Sequence, residues 1–194
     1  MPKEPKDTRA ALVASASALL DSGGIDAVTL REVGRLAGVS HTAPHEHFAD
    51  REALLAAVAV RELERLGEIV DGAARQSLSS QDALRTVLRS YTAWALEHPT
   101  RFRLVFGSRP RPREDLDRAA GRARAALTAV VAQCQRDGVV PGGDPERRTA
   151  LLLAVVHGAV DLHLAGHLLP GGGGRAGPDD LVDDLLDLLG AAAG

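Results

Sequence analysis

Apolar residues recur at helical spacing along almost the whole chain, and no segment keeps the alternation of apolar and polar positions typical of strands. The pattern therefore predicts an all-α protein. Glycine and proline breaks divide it into about nine helices. We expect these helices over residues 7–21, 29–37, 40–47, 51–75, 80–98, 100–107, 113–137, 145–169 and 179–190.

Two of the predicted helices are short and are separated by a tight turn. Thr29 and Glu32 fit a capping box at the start of the second helix, Gly38 supplies the freedom of the turn, and Ser40 begins the third helix. This spacing is typical of a helix-turn-helix, whose second helix enters the major groove of DNA. From spacing alone, a plain helical hairpin is the alternative interpretation.

The residues around this turn closely resemble the DNA-binding domain of TetR-family transcriptional regulators. The runs 29–33 and 37–55 carry the resemblance, which extends over about residues 8–58. It implies a helix-turn-helix DNA-binding domain over 1–55 and a ligand-binding and dimerisation domain over 56–194. It also implies DNA contacts from the second helix, the third helix and the start of the fourth: Thr29, Arg31, Ser40, His41, Thr42, Pro44, His45, His47 and Arg51.

Two features of the predicted DNA-binding domain depart from the family pattern. His45 stands where relatives usually have an aromatic residue, most often tyrosine, and Glu46 adds a negative charge beside it. Residues 1–50 contain five Lys or Arg against seven Asp or Glu, whereas a DNA-binding face is normally basic. A small-molecule-binding protein of the same fold, with weak or lost DNA binding, is therefore the alternative function.

The later part of the chain is similar to the C-terminal part of a TetR subgroup named for its Trp-His-Gly motif. The segments 95–107 and 155–162 carry this similarity, with Val156 in place of the tryptophan. It implies effector binding and dimerisation. The scarce aromatic side chains and a polar pair on one helical face are the candidate ligand-binding residues, with a purely structural role as the alternative: Tyr91, Trp94, Phe102, Phe106, His157 and Asp161.

The last two predicted helices carry the expected dimer interface. The helix over 145–169 is apolar nearly all round, as is typical of a helix between a core and a partner, and the final helix has leucines on one side and aspartates on the other. For the final helix alone, docking within the chain is the alternative. The predicted interface residues are Leu151, Val155, Gly158, Leu162, Gly166, Leu181, Leu185 and Leu188.

Residues 101–124 contain eight Arg against three acidic residues. We interpret this segment as a solvated face, because runs of like charge usually face water. Binding of an anionic effector, or contact with the aspartate-rich final helix, are the alternatives.

Composition and missing motifs limit the remaining function classes. Cys134 is the single cysteine, and no apolar run reaches the ~20 residues that span a bilayer, so we expect a cytoplasmic protein without a membrane partner. The sequence shows no Gly-rich phosphate loop or Gly-x-Ser-x-Gly elbow, and His41 and His45 lack a third zinc ligand. We therefore expect no enzyme, metal or cofactor.

The combined prediction is a sequence-specific transcriptional regulator. It is expected to be a ligand-released repressor that binds a palindromic double-stranded operator as a homodimer and responds to an unidentified small-molecule effector.

Overall fold

The computed structural model describes residues 5–107, 113–168 and 176–193. Within these ranges the chain forms nine α-helices and no strand, which confirms the predicted fold class. The helices are α1 (Pro5–Ala27), α2 (Leu30–Ala37), α3 (Ala43–His47), α4 (Arg51–Gln76), α5 (Ser80–Glu97), α6 (Pro99–Phe106), α7 (Glu114–Arg136), α8 (Pro145–Leu164) and α9 (Pro178–Ala193).

Helix α1 was expected to end at Asp21 before a glycine pair. Gly24 of that pair has a non-helical conformation (φ 73°, ψ −172°), so two helical segments meet there at a kink within Pro5–Ala27. The glycine pair therefore interrupts the helix, and a second helical segment follows it. One predicted helix start needs correction. Helix α3 begins at Ala43 and not at Ser40. Proline has no backbone N–H and a fixed φ, so it fits the first turn of a helix, and Pro44 places that turn here.

Helix α8 is also shorter than the predicted 145–169. It ends at Leu164, and Gly166 follows in the left-handed region at φ 81°. A left-handed glycine just beyond the last turn is a common way for a helix to end. The predicted residue 169 lies outside the described residues.

The chain divides into two compact units. The first comprises Met1–Leu63 and His98–Ala119, and the second comprises Glu64–Glu97 and Ala120–Gly194. Helices α4 and α7 contribute residues to both. The predicted domain boundary at residue 55 stays a prediction.

The first unit has its own aliphatic core. Helix α1 packs against α2, α3 and α6, and α2 packs against α3. The core side chains come from α1, α2, the turn before α4, and α4 itself, and include Leu12, Leu20, Val33, Phe48 and Leu54. This packing fixes α2 and α3 as one rigid corner.

The second unit is built around α5, α8 and α9, which pack pairwise against one another. Its buried residues are mainly aliphatic, as the low aromatic content of 3% requires. No helix in the described part of the chain is long and apolar enough to cross a membrane.

Candidate functional site

Local hydrogen bonds fix the corner between α2 and α3. The Thr29 Oγ1 accepts a hydrogen bond from the backbone N–H of Glu32 (3.2 Å), which caps α2 as the sequence predicts. Gly38 ends the helix in the left-handed region (φ 67°, ψ 32°), and its N–H donates to the Arg35 carbonyl at 3.3 Å. Side chains other than glycine rarely adopt this conformation, so the sharp turn depends on Gly38.

Close packing across this corner involves Pro44, which the sequence placed on the DNA-binding surface. Pro44 is buried, and a Cβ added at Gly34 would lie only 2.8 Å from the Pro44 Cγ. The proline ring therefore packs against α2 and does not face outward. We correct its predicted role from a DNA contact to a packing residue that holds α3 in place.

Several other predicted DNA-binding residues point away from this corner. The exposed residues include His41, Thr42 and His45, together with Arg31 on α2, whereas His47 is half-buried. Ser40 is exposed as well, and its Oγ accepts a hydrogen bond from the Ala43 N–H (3.3 Å) and lies 3.3 Å from the Thr42 Oγ1. The turn and α3 thus present a row of polar side chains.

Arg51 is already engaged within the chain. Its Nε donates to the Val28 carbonyl at 2.7 Å, its Nη2 donates to the Ile25 carbonyl, and Asp26 lies 3.7 Å away. The side chain is nevertheless 41% exposed. Arg51 therefore ties the end of α1 to the start of α4, a structural role that the sequence did not reveal.

A buried ionic cluster in the first unit was also missed. Arg101 on α6 donates from Nε to Asp21 Oδ1 (2.9 Å) and from Nη1 to Glu62 Oε1 (3.0 Å). The Arg101 side chain is 12% exposed and that of Glu62 only 2%. The prediction of a solvated face over 101–124 is wrong for Arg101, because this guanidinium joins α1, α4 and α6.

Four of the predicted ligand-binding residues form a connected group in the second unit. The Tyr91 hydroxyl lies 2.7 Å from His157 Nδ1, and the ring centroids of Tyr91 and Trp94 are 6.2 Å apart. Burial, followed by the negative charge of Asp161, raises the pKa of the Tyr91 phenol. The Tyr91 hydroxyl and His157 Nδ1 share this hydrogen bond, and His157 Nε2 lies 3.5 Å from the Asp161 carboxylate on the other side of the ring.

This group runs from a buried phenol to the surface, because the Asp161 side chain is 60% exposed. Phe102 and Phe106 pack against each other with centroids 5.5 Å apart, and they lie in the first unit. The structure therefore divides the six predicted residues between two units.

Helix α8 presents an apolar stripe to solvent. The exposed fractions are 49% for Leu151, 39% for Val155 and 48% for Leu162. Gly158 is half-buried between them, and a Cβ added there would meet nothing within 4 Å. The predicted interface residue Gly166 is exposed beyond the end of α8.

Helix α9 docks within the chain. The Arg85 Nε on α5 lies 3.2 Å from Asp183 Oδ1, and Arg89 also pairs with Asp183. The Thr92 hydroxyl donates to Asp179 at 2.6 Å. Intramolecular docking, given above as an alternative, is therefore observed, and the arginines belong to α5 and not to 101–124. Of the predicted interface residues on this helix, Leu181 and Leu185 are half-buried and Leu188 is 70% exposed.

Across the three described ranges, no group of three or more His, Cys, Asp and Glu side chains is arranged to hold a metal ion.

Comparison with known proteins assigns the chain to a family. Residues 12–58 match the model described as "Bacterial regulatory proteins, tetR family", and residues 84–189 match the model of the "Tetracyclin repressor-like, C-terminal domain". The chain belongs to the TetR family and is a DNA-binding transcriptional regulator, as predicted. The Trp-His-Gly subgroup stays a prediction. No curated protein matches the chain.

Solved structures share the fold along almost the whole chain. A protein of unknown function from Rhodococcus sp. RHA1 is 29% identical, with a TM-score of 0.81 and coverage of 95% of this chain and 94% of that one. A putative TetR-family regulator from Mesorhizobium loti MAFF303099 is 19% identical (TM-score 0.71, coverage 99% and 97%). The regulator FadR from Bacillus subtilis, solved with stearoyl-CoA, is 11% identical (TM-score 0.69, coverage 93% and 96%).

Proposed function

We propose that this regulator is a repressor that binds a palindromic operator as a homodimer and is released by a small-molecule effector. The observation that carries the proposal is the row of exposed polar side chains at Ser40, His41, Thr42 and His45, fixed from behind by buried Pro44. A rigid corner with outward polar groups suits the reading of base edges in a major groove. Sequencing DNA fragments selected by the purified protein tests it directly.

The proposed contacts divide into two kinds. His41 and Thr42 precede the first turn of α3 and are assigned to base edges, with Ser40, His45 and His47 beside them. Arg31 and Arg51 are assigned to phosphates, and Thr29 lies at the N-terminus of α2, where backbone N–H groups favour an anion.

Substitutions should separate these two kinds of contact. We expect Thr42→Ala and His41→Ala to change the preferred operator sequence, whereas Arg31→Ala weakens binding to all DNA and lowers the salt slope by about one charge. Arg51→Ala should do the same and also lower the melting temperature, because it releases the Val28 and Ile25 carbonyls. Affinities for a panel of operator variants at several salt concentrations provide the measurement. A uniform loss from all four variants would contradict the assignment.

The proposed effector binds in the second unit. The group of Tyr91, Trp94, His157 and Asp161 supports this, because it combines buried aromatic surface with polar atoms that can orient a ligand. Release requires that the effector prefers the conformation with lower operator affinity, and by reciprocity the operator must weaken effector binding by the same factor. Effector affinity measured with and without operator, and operator affinity measured with and without effector, should therefore change by the same factor, and this result would establish an effector.

The homodimer is proposed to form through the apolar stripe on α8 together with α9. An exposed row of apolar side chains on one helix is typical of a surface that a partner covers. Two-fold symmetry would place two copies of α3 on the two half-sites of a palindrome.

A further inference from the structure

The second unit contains an open cavity that none of the predicted ligand-binding residues lines. The end of α4, the segment that joins α4 to α5, the first turn of α5 and the later half of α7 surround it, and its volume is about 530 Å³. Small-molecule sites typically have volumes of ~300–1,000 Å³. The cavity is therefore large enough for a ligand of metabolite size.

Small side chains create this space. Ala74 on α4, Ala83 on α5, and Ala126 and Ala129 on α7 all line the cavity. Because an alanine side chain ends at Cβ, four such positions on three helices leave a gap that larger residues would fill. The part of the wall that these alanines form suits an apolar ligand body, whereas serines and charged residues form the rest.

Ser80 also lines the cavity, but its Oγ is buried below the surface and has no hydrogen-bond partner among the residues that the structure describes.

Charges around the cavity argue against an anionic ligand. Asp71 and Asp137 line it together with a single cation, Arg136. Gln133 joins two of these groups, because its Nε2 donates to Asp137 (2.8 Å) and its Oε1 accepts from the Arg136 Nε (3.2 Å). The guanidinium is therefore already engaged, and two carboxylates against one cation leave a net negative potential.

We propose that this cavity binds an uncharged small molecule with an apolar body. The site is separate from the group around Tyr91 and His157. A role of this site in releasing the operator rests on the function proposed above. Ligand binding at the site does not rest on that function.

Fluorescence titration of the full chain with N-phenyl-1-naphthylamine tests the proposal, because this probe is uncharged and has an apolar aromatic body. The matched control ligand is 8-anilinonaphthalene-1-sulfonate, which has the same aromatic body and a negative charge. Ala129→Phe is designed to fill the cavity. Ala125→Phe is the matched control variant, since Ala125 is an exposed alanine on the same helix that does not line the cavity.

We expect saturable binding of the neutral probe to wild type and Ala125→Phe, at least tenfold weaker binding to Ala129→Phe, and weaker binding of the sulfonate to wild type. Ser80→Ala should raise the melting temperature, because it removes a buried hydroxyl that has no hydrogen-bond partner among the described residues. Equal affinity of wild type and Ala129→Phe would overturn the proposal. So would binding that is lost in Trp94→Phe or His157→Ala and retained in Ala129→Phe.

A second measurement separates this inference from the proposed function. Operator affinity is compared with and without saturating probe in wild type and Ala129→Phe. If the probe releases the operator from wild type but not from Ala129→Phe, the result would support both the ligand site and its role in operator release. Specific binding without any change in operator affinity would retain the cavity as a ligand site and reject its role in release.

Discussion

Replacing Arg101 with alanine is expected to lower the free energy of unfolding by about 3–5 kcal/mol, as measured by urea denaturation. The loss arises because Glu62 is almost completely buried and would lose the guanidinium that lies 3.0 Å away. Asp21 would lose its hydrogen bond from the same side chain. Breaking a buried ion pair by removing one partner is much more costly than breaking a surface ion pair, whose contribution is about 0–1 kcal/mol.

Matched variants test whether the buried pair causes this effect. Arg103→Ala removes an exposed arginine from the same helix and should change the free energy of unfolding by less than about 0.5 kcal/mol. The double variant Arg101→Met/Glu62→Leu should be more stable than Arg101→Ala, because apolar residues often replace a buried ion pair at little cost. If Arg101→Ala were as stable as Arg103→Ala, the cluster would have no structural importance.

The helix-turn-helix could be predicted because its signals are local. Thr29 caps a helix that begins one residue later, and the Asp50 carboxylate accepts the Ala53 N–H at 2.7 Å to begin α4. Gly38 ends α2 within the same short stretch. Such interactions span three or four positions, so residue types and spacing are sufficient to reveal them.

The buried roles of other residues depend on partners distant in sequence. Arg101 was placed on a solvated face because its sequence neighbours are arginines, yet Asp21 is 80 positions away and Glu62 is 39. Pro44 was placed on the DNA-binding surface, but it is buried, and its burial depends on the absence of a side chain at Gly34. Neither partner can be inferred from spacing.

The pocket predicted around the aromatic residues stays a prediction. Trp94 and Phe102 are eight positions apart in sequence and belong to different compact units. The cavity beside Ser80 escaped prediction because its alanines come from three helices and no single helix shows a recognisable pattern.

Replacing Gly158 with leucine is expected to convert the dimer into monomers and to weaken operator binding by at least a hundredfold. Tethering two half-site readers to each other typically raises affinity by ~10²–10⁴, and monomers lose this gain. Within the chain the new side chain meets no obstacle, because an added Cβ at Gly158 has no neighbour within 4 Å. Leucine also has a higher helix propensity than glycine, so α8 itself should not be weakened. Any loss of association therefore reports on a second copy that covers the stripe of Leu151, Val155 and Leu162.

Sedimentation velocity at micromolar concentration, followed by operator titration, provides the test. Gly121→Leu is the matched control, since Gly121 is also helical and also has no neighbour within 4 Å of an added Cβ, but it lies on α7. Leu185→Asp is an independent variant on α9 that places a charge in the proposed interface, where an unpaired buried charge costs several kcal/mol. We expect dimers for wild type and Gly121→Leu and monomers for the other two variants. The proposed interface would be wrong if wild type sedimented as a monomer. It would also be wrong if Gly158→Leu associated as tightly as Gly121→Leu, because the new leucine side chain in the middle of the stripe would then face solvent.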